Sequence, residues 1–413
     1  MDRDIIRSLA IEIAEIAALD IHEEKRKLYR AVNGLNMIRP VVLLDELPWN
    51  QLNGDGELTL KCEDEFLRGV ELNMRRTIYK WKHCPGDMIV EPFYVLNRVI
   101  NIDPIGPKVE ESTISIDKGN NIISHHYVDQ FETMESLELL KTPEIHVDDA
   151  LTEKRREILD GIFGDVLPIR VTGITHAGFY MPWDDLSMWR GVEPIYVDLY
   201  DNPELLHAFM RKYVDIRKDL LRREEELGLL DDYMPVLHCT AGLVDDLPGE
   251  KKDGKVTRAN MWGRGTAQCF ASVSPAMHDE FEIEYAKEYF DGFGLMYYGC
   301  CEPLHDKIPY LRKRFKNLRR ISITPWANPD KAADEIGRDY VLSYKCNPAY
   351  VSRGVLDTEP ARAEVERVLD ACSRNHTPCE FVLKDISTVN SNPTVLGEWT
   401  DMVNKAIDQR WKP

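Results

Sequence analysis

The chain has 413 residues, 43% hydrophobic and 30% charged, ordinary values for a globular protein with a sizeable core. Its 52 basic and 71 acidic residues leave a formal charge of −19, which works against nucleic acid, because phosphate binding needs a basic stripe. Acidic side chains run through the N-terminal stretch, no segment offers ~18 uncharged apolar residues for a membrane span, and the nine cysteines lack framework spacing. The expectation is a cytoplasmic protein, reduced and free of membranes.

Taken in chain order, Ile5, Leu9, Ile13 and Ile16 recur at helical spacing, so residues 1–38 read as a helical segment packed on the body. Short apolar strands follow, each with a helical stretch after it: Val41–Leu44, Met88–Val90, Pro168–Thr172, Met234–His238, Leu295–Tyr298, Ile321–Thr324, Tyr340–Tyr344 and Phe381–Leu383. Such continuously apolar runs fit buried parallel strands. The spacing between the second and third strands implies an ordered insertion over 101–146.

Helix starts are marked by Asp201-Asn202-Pro203, Ser274-Pro275, Asn328-Pro329 and Asn392-Pro393, each a capping side chain before a proline. Gly292 and Gly294 stop the helix that begins at Pro275. The basic run Leu311–Arg320 reads as the solvated end of a helix. Eight strands alternating with helices predict a single closed (β/α)8 TIM barrel over 39–413. No Gly-x-Gly-x-x-Gly follows a strand, which removes the simplest dinucleotide site.

The order of these features resembles the uroporphyrinogen decarboxylase superfamily, from about Leu28 to the C-terminus. Arg39-Pro40-Val41-Val42-Leu43-Leu44 is similar to its first strand. Asp201-Asn202-Pro203-Glu204-Leu205-Leu206 is similar to the helix start after its third strand, and Ser274-Pro275-Ala276-Met277-His278 to the helix before its fifth. The family's decarboxylases bind a polycarboxylate tetrapyrrole with arginines after the first strand. Here that stretch reads Asp45-Glu46-Leu47-Pro48-Trp49-Asn50, whose carboxylates would repel such a substrate.

The resemblance therefore implies the branch of zinc-dependent methyltransferases that exchange methyl groups with corrinoid proteins. Its ligands come from a His-x-Cys after the fifth strand and a Cys after the seventh. This chain has Tyr297-Tyr298-Gly299-Cys300-Cys301-Glu302 at the first place and Cys346 at the second, with His238 ending the fourth predicted strand. Strand ends of a barrel share one ring, so His238, Cys300 or Cys301, Glu302 and Cys346 are the expected metal ligands. The two adjacent cysteines diverge if the segment is extended, which favours Cys301. The competing expectation is that buried cysteines simply pack as small hydrophobes.

Asp45, Glu46 and Glu91 are candidate acids at the ends of the first two strands, or else solvated loop carboxylates. Trp49, His176, Tyr180, Trp183, Tyr298 and Trp326 are candidate walls of an apolar pocket for a small methylated, for example methoxyaromatic, substrate. Zinc would act as a Lewis acid, and the corrinoid would arrive on a partner protein, because this chain lacks Asp-x-His-x-x-Gly. A homodimer is compatible with this reading. Two alternatives stay open: a decarboxylase of a small acid or atypical tetrapyrrole, and a non-catalytic small-molecule-binding barrel.

Overall fold

The structure is a computed structural model that describes residues 1–115 and 123–411. Two helices, Asp2–Ala17 and Ile21–Asn33, open the chain. Ile6, Ala10, Ile13 and Ile16 form the buried stripe of the first; of the expected face Ile13 and Ile16 are buried, while Ile5 and Leu9 are half-buried beside it.

Nine parallel strands follow in chain order: β1 (Val41–Leu44), β2 (Tyr94–Asn97), β3 (Ile169–Thr172), β4 (Phe179–Tyr180), β5 (Trp262–Gly265), β6 (Leu295–Tyr298), β7 (Leu318–Ile323), β8 (Val341–Cys346) and β9 (Cys379–Leu383). Seven of them form one parallel sheet in the order β1-β9-β8-β7-β6-β5-β4, while β2 and β3 pair separately. The protein is thus mixed α/β with a central parallel sheet. Among the described residues β1 and β4 remain unpaired edges, so the expected closure is not seen.

The difference has a local cause. Met234–His238 is not a strand, because His238 and Cys239 both adopt the left-handed conformation, with φ of 48° and 64°. The segment instead folds back, with Leu237 N donating to Thr240 O, and its continuation reaches the sheet through Thr240 and Ala241. Met88–Val90 is likewise not a strand; pairing begins at Tyr94. The true strand β5 carries two glycines, Gly263 and Gly265, where an added Cβ would meet the Phe290 ring within 3.0 Å. Close packing against a helix, not apolar content, selects those residues.

Strands alternate between two faces. On one, Tyr297, Arg320, Ser343 and Glu380 meet each other and Thr240; on the other, Tyr298 and Tyr344 meet surrounding helices. Arg320, expected in a solvated helix end, is fully buried on β7, because the helix stops at Arg314. Inside the insertion Ile100–Ile102 pairs with Ile145–Val147 and Glu111–Ile114 with Ser124–Tyr127, both antiparallel; residues 116–122 lie outside the described part.

Helices begin at or next to all four predicted starts, with side-chain caps at two; Asn202 makes none, and the last helix begins at Thr394, one residue after its proline. Ser274 caps Met277 N and Asn328 caps Asp330 N and Lys331 N, while the helix Pro203–Glu226 begins at its proline. Among the described residues, no helix is long and apolar enough to cross a membrane.

Candidate metal and thiol centre

Three chain segments converge beyond the C-terminal ends of β1, β6 and β9: Asp45-Glu46, Cys300-Cys301 and Lys384-Asp385. The folded-back segment adds His238-Cys239. Glu46 is the link among them. It accepts from Cys239 Sγ at 3.5 Å and Asp385 N at 3.2 Å, and pairs with Lys384 Nζ at 3.1 Å. Glu46, His238, Cys239 and Asp385 are four of the nine non-glycine residues with positive φ among those described. Such conformations cost energy and persist where the surroundings over-determine them, commonly at functional sites.

Donor atoms of Glu46, His238 and Cys239 lie within 4.8 Å of one another, the one such group found among the described residues. His238 Nε2 is buried and has no hydrogen-bond partner. Burial, then Arg264, Lys345 and Lys384, holds the His238 imidazole well below its ordinary pKa. Burial also pushes the Cys239 thiol up. A nitrogen, a sulfur and a carboxylate oxygen are a donor set that zinc accepts, with room for a further ligand. Cys239 was absent from the expected ligand set.

Cys300 and Cys301 do not diverge. The chain turns at Gly299, φ 102°, where an added Cβ would sit 2.4 Å from Leu304, and the two sulfurs end 3.5 Å apart. Lys384 Nζ lies 3.8 Å from Cys300 Sγ and 4.0 Å from Cys301 Sγ; Cys301 Sγ also reaches Asp385 at 3.4 Å. The contact with Cys301, then Lys384 and Arg264, lowers the Cys300 pKa against burial.

The other expected ligands lie elsewhere. Glu302 is fully buried with its carboxylate saturated, accepting from Thr266 Oγ1, Ala267 N and Cys300 N, which ties β5 to β6. Cys346 falls on the helix face of β8, on the same parity as Tyr344, where Glu364 is its nearest carboxylate influence. Neither is brought to the Glu46–His238–Cys239 group.

A cavity of about 740 Å³ adjoins the centre, lined by Asp45 and Cys239 on the site side and by Trp49, Phe93, Tyr94 and Tyr233 among its aromatic walls. Glu91 also lines it, but its carboxylate is engaged by Arg26 at 2.6 Å. Of the expected pocket walls, only Trp49 lines this cavity, with Arg76 over its ring at 4.9 Å. Tyr180 is fully buried and stacked on Tyr289 at 4.8 Å, and Trp183 is buried against Phe270. Tyr298 is buried on the helix face, donating to Glu282 and meeting His278 at 2.7 Å. Trp326 is 70% exposed, and His176 is exposed beside Phe179.

Sequence reasoning passed over Arg264 and Lys345 and gave Lys384 little weight. Arg264 was hidden because β5 was not foreseen. Lys345 and Lys384 could have been found from strand parity, sitting two and four residues after Ser343 and Glu380 on the same face.

No protein-family profile and no curated protein matches the sequence. Among solved structures, the chain is similar to a methyltransferase from Methanosarcina mazei, at 10% sequence identity and a TM-score of 0.47, over 91% of this chain and 97% of that one.

Proposed function

We propose that the protein is the substrate-specific methyltransferase of a corrinoid-dependent demethylation system, as the resemblance to the uroporphyrinogen decarboxylase superfamily implies. The observation that carries this reading is the Glu46–His238–Cys239 group, with its partnerless buried nitrogen, where the folded-back segment meets the C-terminal end of β1. These three residues replace Cys301, Glu302 and Cys346 as the proposed ligands. They would hold a zinc ion, whose Lewis acidity would weaken the bond between a methyl group and its oxygen or nitrogen.

The remaining chemistry belongs to the chain. Trp49, Phe93 and Tyr233 supply apolar walls that exclude water from a small methylated substrate. Asp45, at the cavity edge with its backbone fixed to Leu383 O at 2.9 Å, is placed to give a proton to the departing oxygen or nitrogen. Glu91 has a different part: its pair with Arg26 fixes the cavity wall to the second helix. A corrinoid protein would dock over the strand ends and present cobalt to the methyl carbon.

The test is absorbance of a Co(I) corrinoid protein mixed with this protein, zinc and a panel of methoxyaromatics and methylamines. Methyl-Co(III) should form with at least one donor and vanish with Cys239→Ser. Silence across both donor classes with zinc-loaded protein would remove the reading.

One observation favours a second reading. Arg264 and Lys345, each 4% exposed, form no ion pair with a carboxylate among the described residues. Cations of this kind suit a decarboxylase of a small acid, which would release CO2 from its substrate without a corrinoid partner.

A further inference from the structure

The charges on the site face of the sheet are unevenly matched. Arg320 pairs with Glu380 at 2.6 Å, and Lys384 with Asp385 at 2.7 Å and Glu46 at 3.1 Å. Arg264, on β5, has no such partner. One of its amino groups meets Met181 Sδ at 3.0 Å, a weak acceptor, and its Nε is buried with no acceptor at all. The guanidinium also lies over the Phe179 ring at 5.5 Å. Lys345 meets Ser343 Oγ at 3.0 Å and Tyr297, and feels the charge of Glu380, but forms no ion pair with a carboxylate among the described residues.

A guanidinium taken out of water without an anion costs several kcal/mol, and native proteins rarely leave one so. The five donors of arginine form a planar fork that matches a carboxylate. Tyr297 links both to the proposed metal ligand: its ring centroid lies 5.8 Å from that of His238 and 5.4 Å from Lys345 Nζ, and it pairs in register with Arg264 on the neighbouring strand. Half-buried Phe179, Met181 and His238 give this part of the site an opening to solvent.

We infer that Arg264, backed by Lys345, anchors a carboxylate on the substrate, so that the substrate class is a small organic acid with its reacting end toward His238. This inference rests on the proposed function for the position of the reacting end. The anion site itself depends only on the unpaired cations.

Isothermal titration of the full chain with benzoate, 4-methoxybenzoate, neutral anisole and inorganic phosphate tests it. The carboxylates should bind more tightly than anisole and phosphate. Arg264→Gln should weaken them by about 30-fold or more, in line with truncating one partner of a buried charge pair. Arg264→Lys, which keeps the charge, should lose less, and zinc content should be unchanged in both.

Equal affinity of benzoate for the wild type and a folded Arg264→Gln variant would overturn the inference, as would phosphate binding at the same residue in preference to carboxylates. If Arg264→Gln does not fold, Arg264→Lys and Lys345→Met must each still reduce carboxylate affinity. Failure here with zinc and methyl transfer intact leaves the proposed function standing. Carboxylate binding without zinc or methyl transfer, but with CO2 release, would move the protein to the decarboxylase reading and retain the anion site.

Discussion

Cys300 Sγ and Cys301 Sγ are 3.5 Å apart, although the residues are adjacent in the chain, because the turn at Gly299 brings both thiols to one side beside Lys384. A pair so placed can close a ring on one soft, trivalent centre. Phenylarsine oxide should therefore bind with about one equivalent per chain, two thiols replacing its oxygen as water. Cys301→Ser should abolish this binding while mass spectrometry finds the other cysteines unmodified. Undiminished binding in Cys301→Ser would show that another pair is responsible.

The buried pair Arg320–Glu380 holds the centre of the site face, with Thr240 and Ser343 also donating to the Glu380 carboxylate. Removing one charge leaves the other buried without compensation. Glu380→Ala should lower stability by about 3–5 kcal/mol in urea unfolding. The double change Arg320→Met, Glu380→Leu should recover much of that loss. An effect of Glu380→Ala within surface-mutation range would contradict the placement.

Burial first, then the carboxylates of Glu302 and Asp184, pushes Glu282 up to about 8, against the Tyr298 hydroxyl and Lys307. The folded state therefore holds a proton that the unfolded chain releases near its ordinary value of 4.5. Between those limits the unfolded state binds fewer protons, so stability falls as pH rises, by up to about 1.4 kcal/mol per pH unit from this group. Glu282→Gln keeps an acceptor for Tyr298 and cannot titrate. Its unfolding free energy should fall less steeply between pH 5 and 8 than that of the wild type, as read from urea midpoints. Parallel slopes would contradict the assignment.

The sequence made much of the framework legible, for physical reasons. Val41–Leu44, Leu295–Tyr298 and the Phe381–Leu383 end of the last strand are buried on both faces, so they read as unbroken apolar runs. Proline-marked helix starts were equally visible. What failed was carried by backbone conformation. An apolar run such as Met234–His238 gives no sign that His238 and Cys239 take positive φ, and β5 hides behind Gly263 and Gly265.

The site was half visible for the same reason. Predicted strand ends drew attention to Glu46, His238 and Cys300-Cys301, which the structure brings near one another, but position does not show direction. Cys346 and Tyr298 lie at strand ends with side chains on the helix face, while Glu302 turns its carboxylate into the backbone of two neighbouring strands.

The most direct test of the central claim is zinc content by inductively coupled plasma mass spectrometry, on protein purified without chelator and supplied with zinc. About one zinc per chain should be found in the wild type and in Cys346→Ser. His238→Ala and Cys239→Ser should each fall well below one while circular dichroism stays native. A wild-type value well under one equivalent, or loss of zinc in Cys346→Ser with retention in Cys239→Ser, would contradict the Glu46–His238–Cys239 centre.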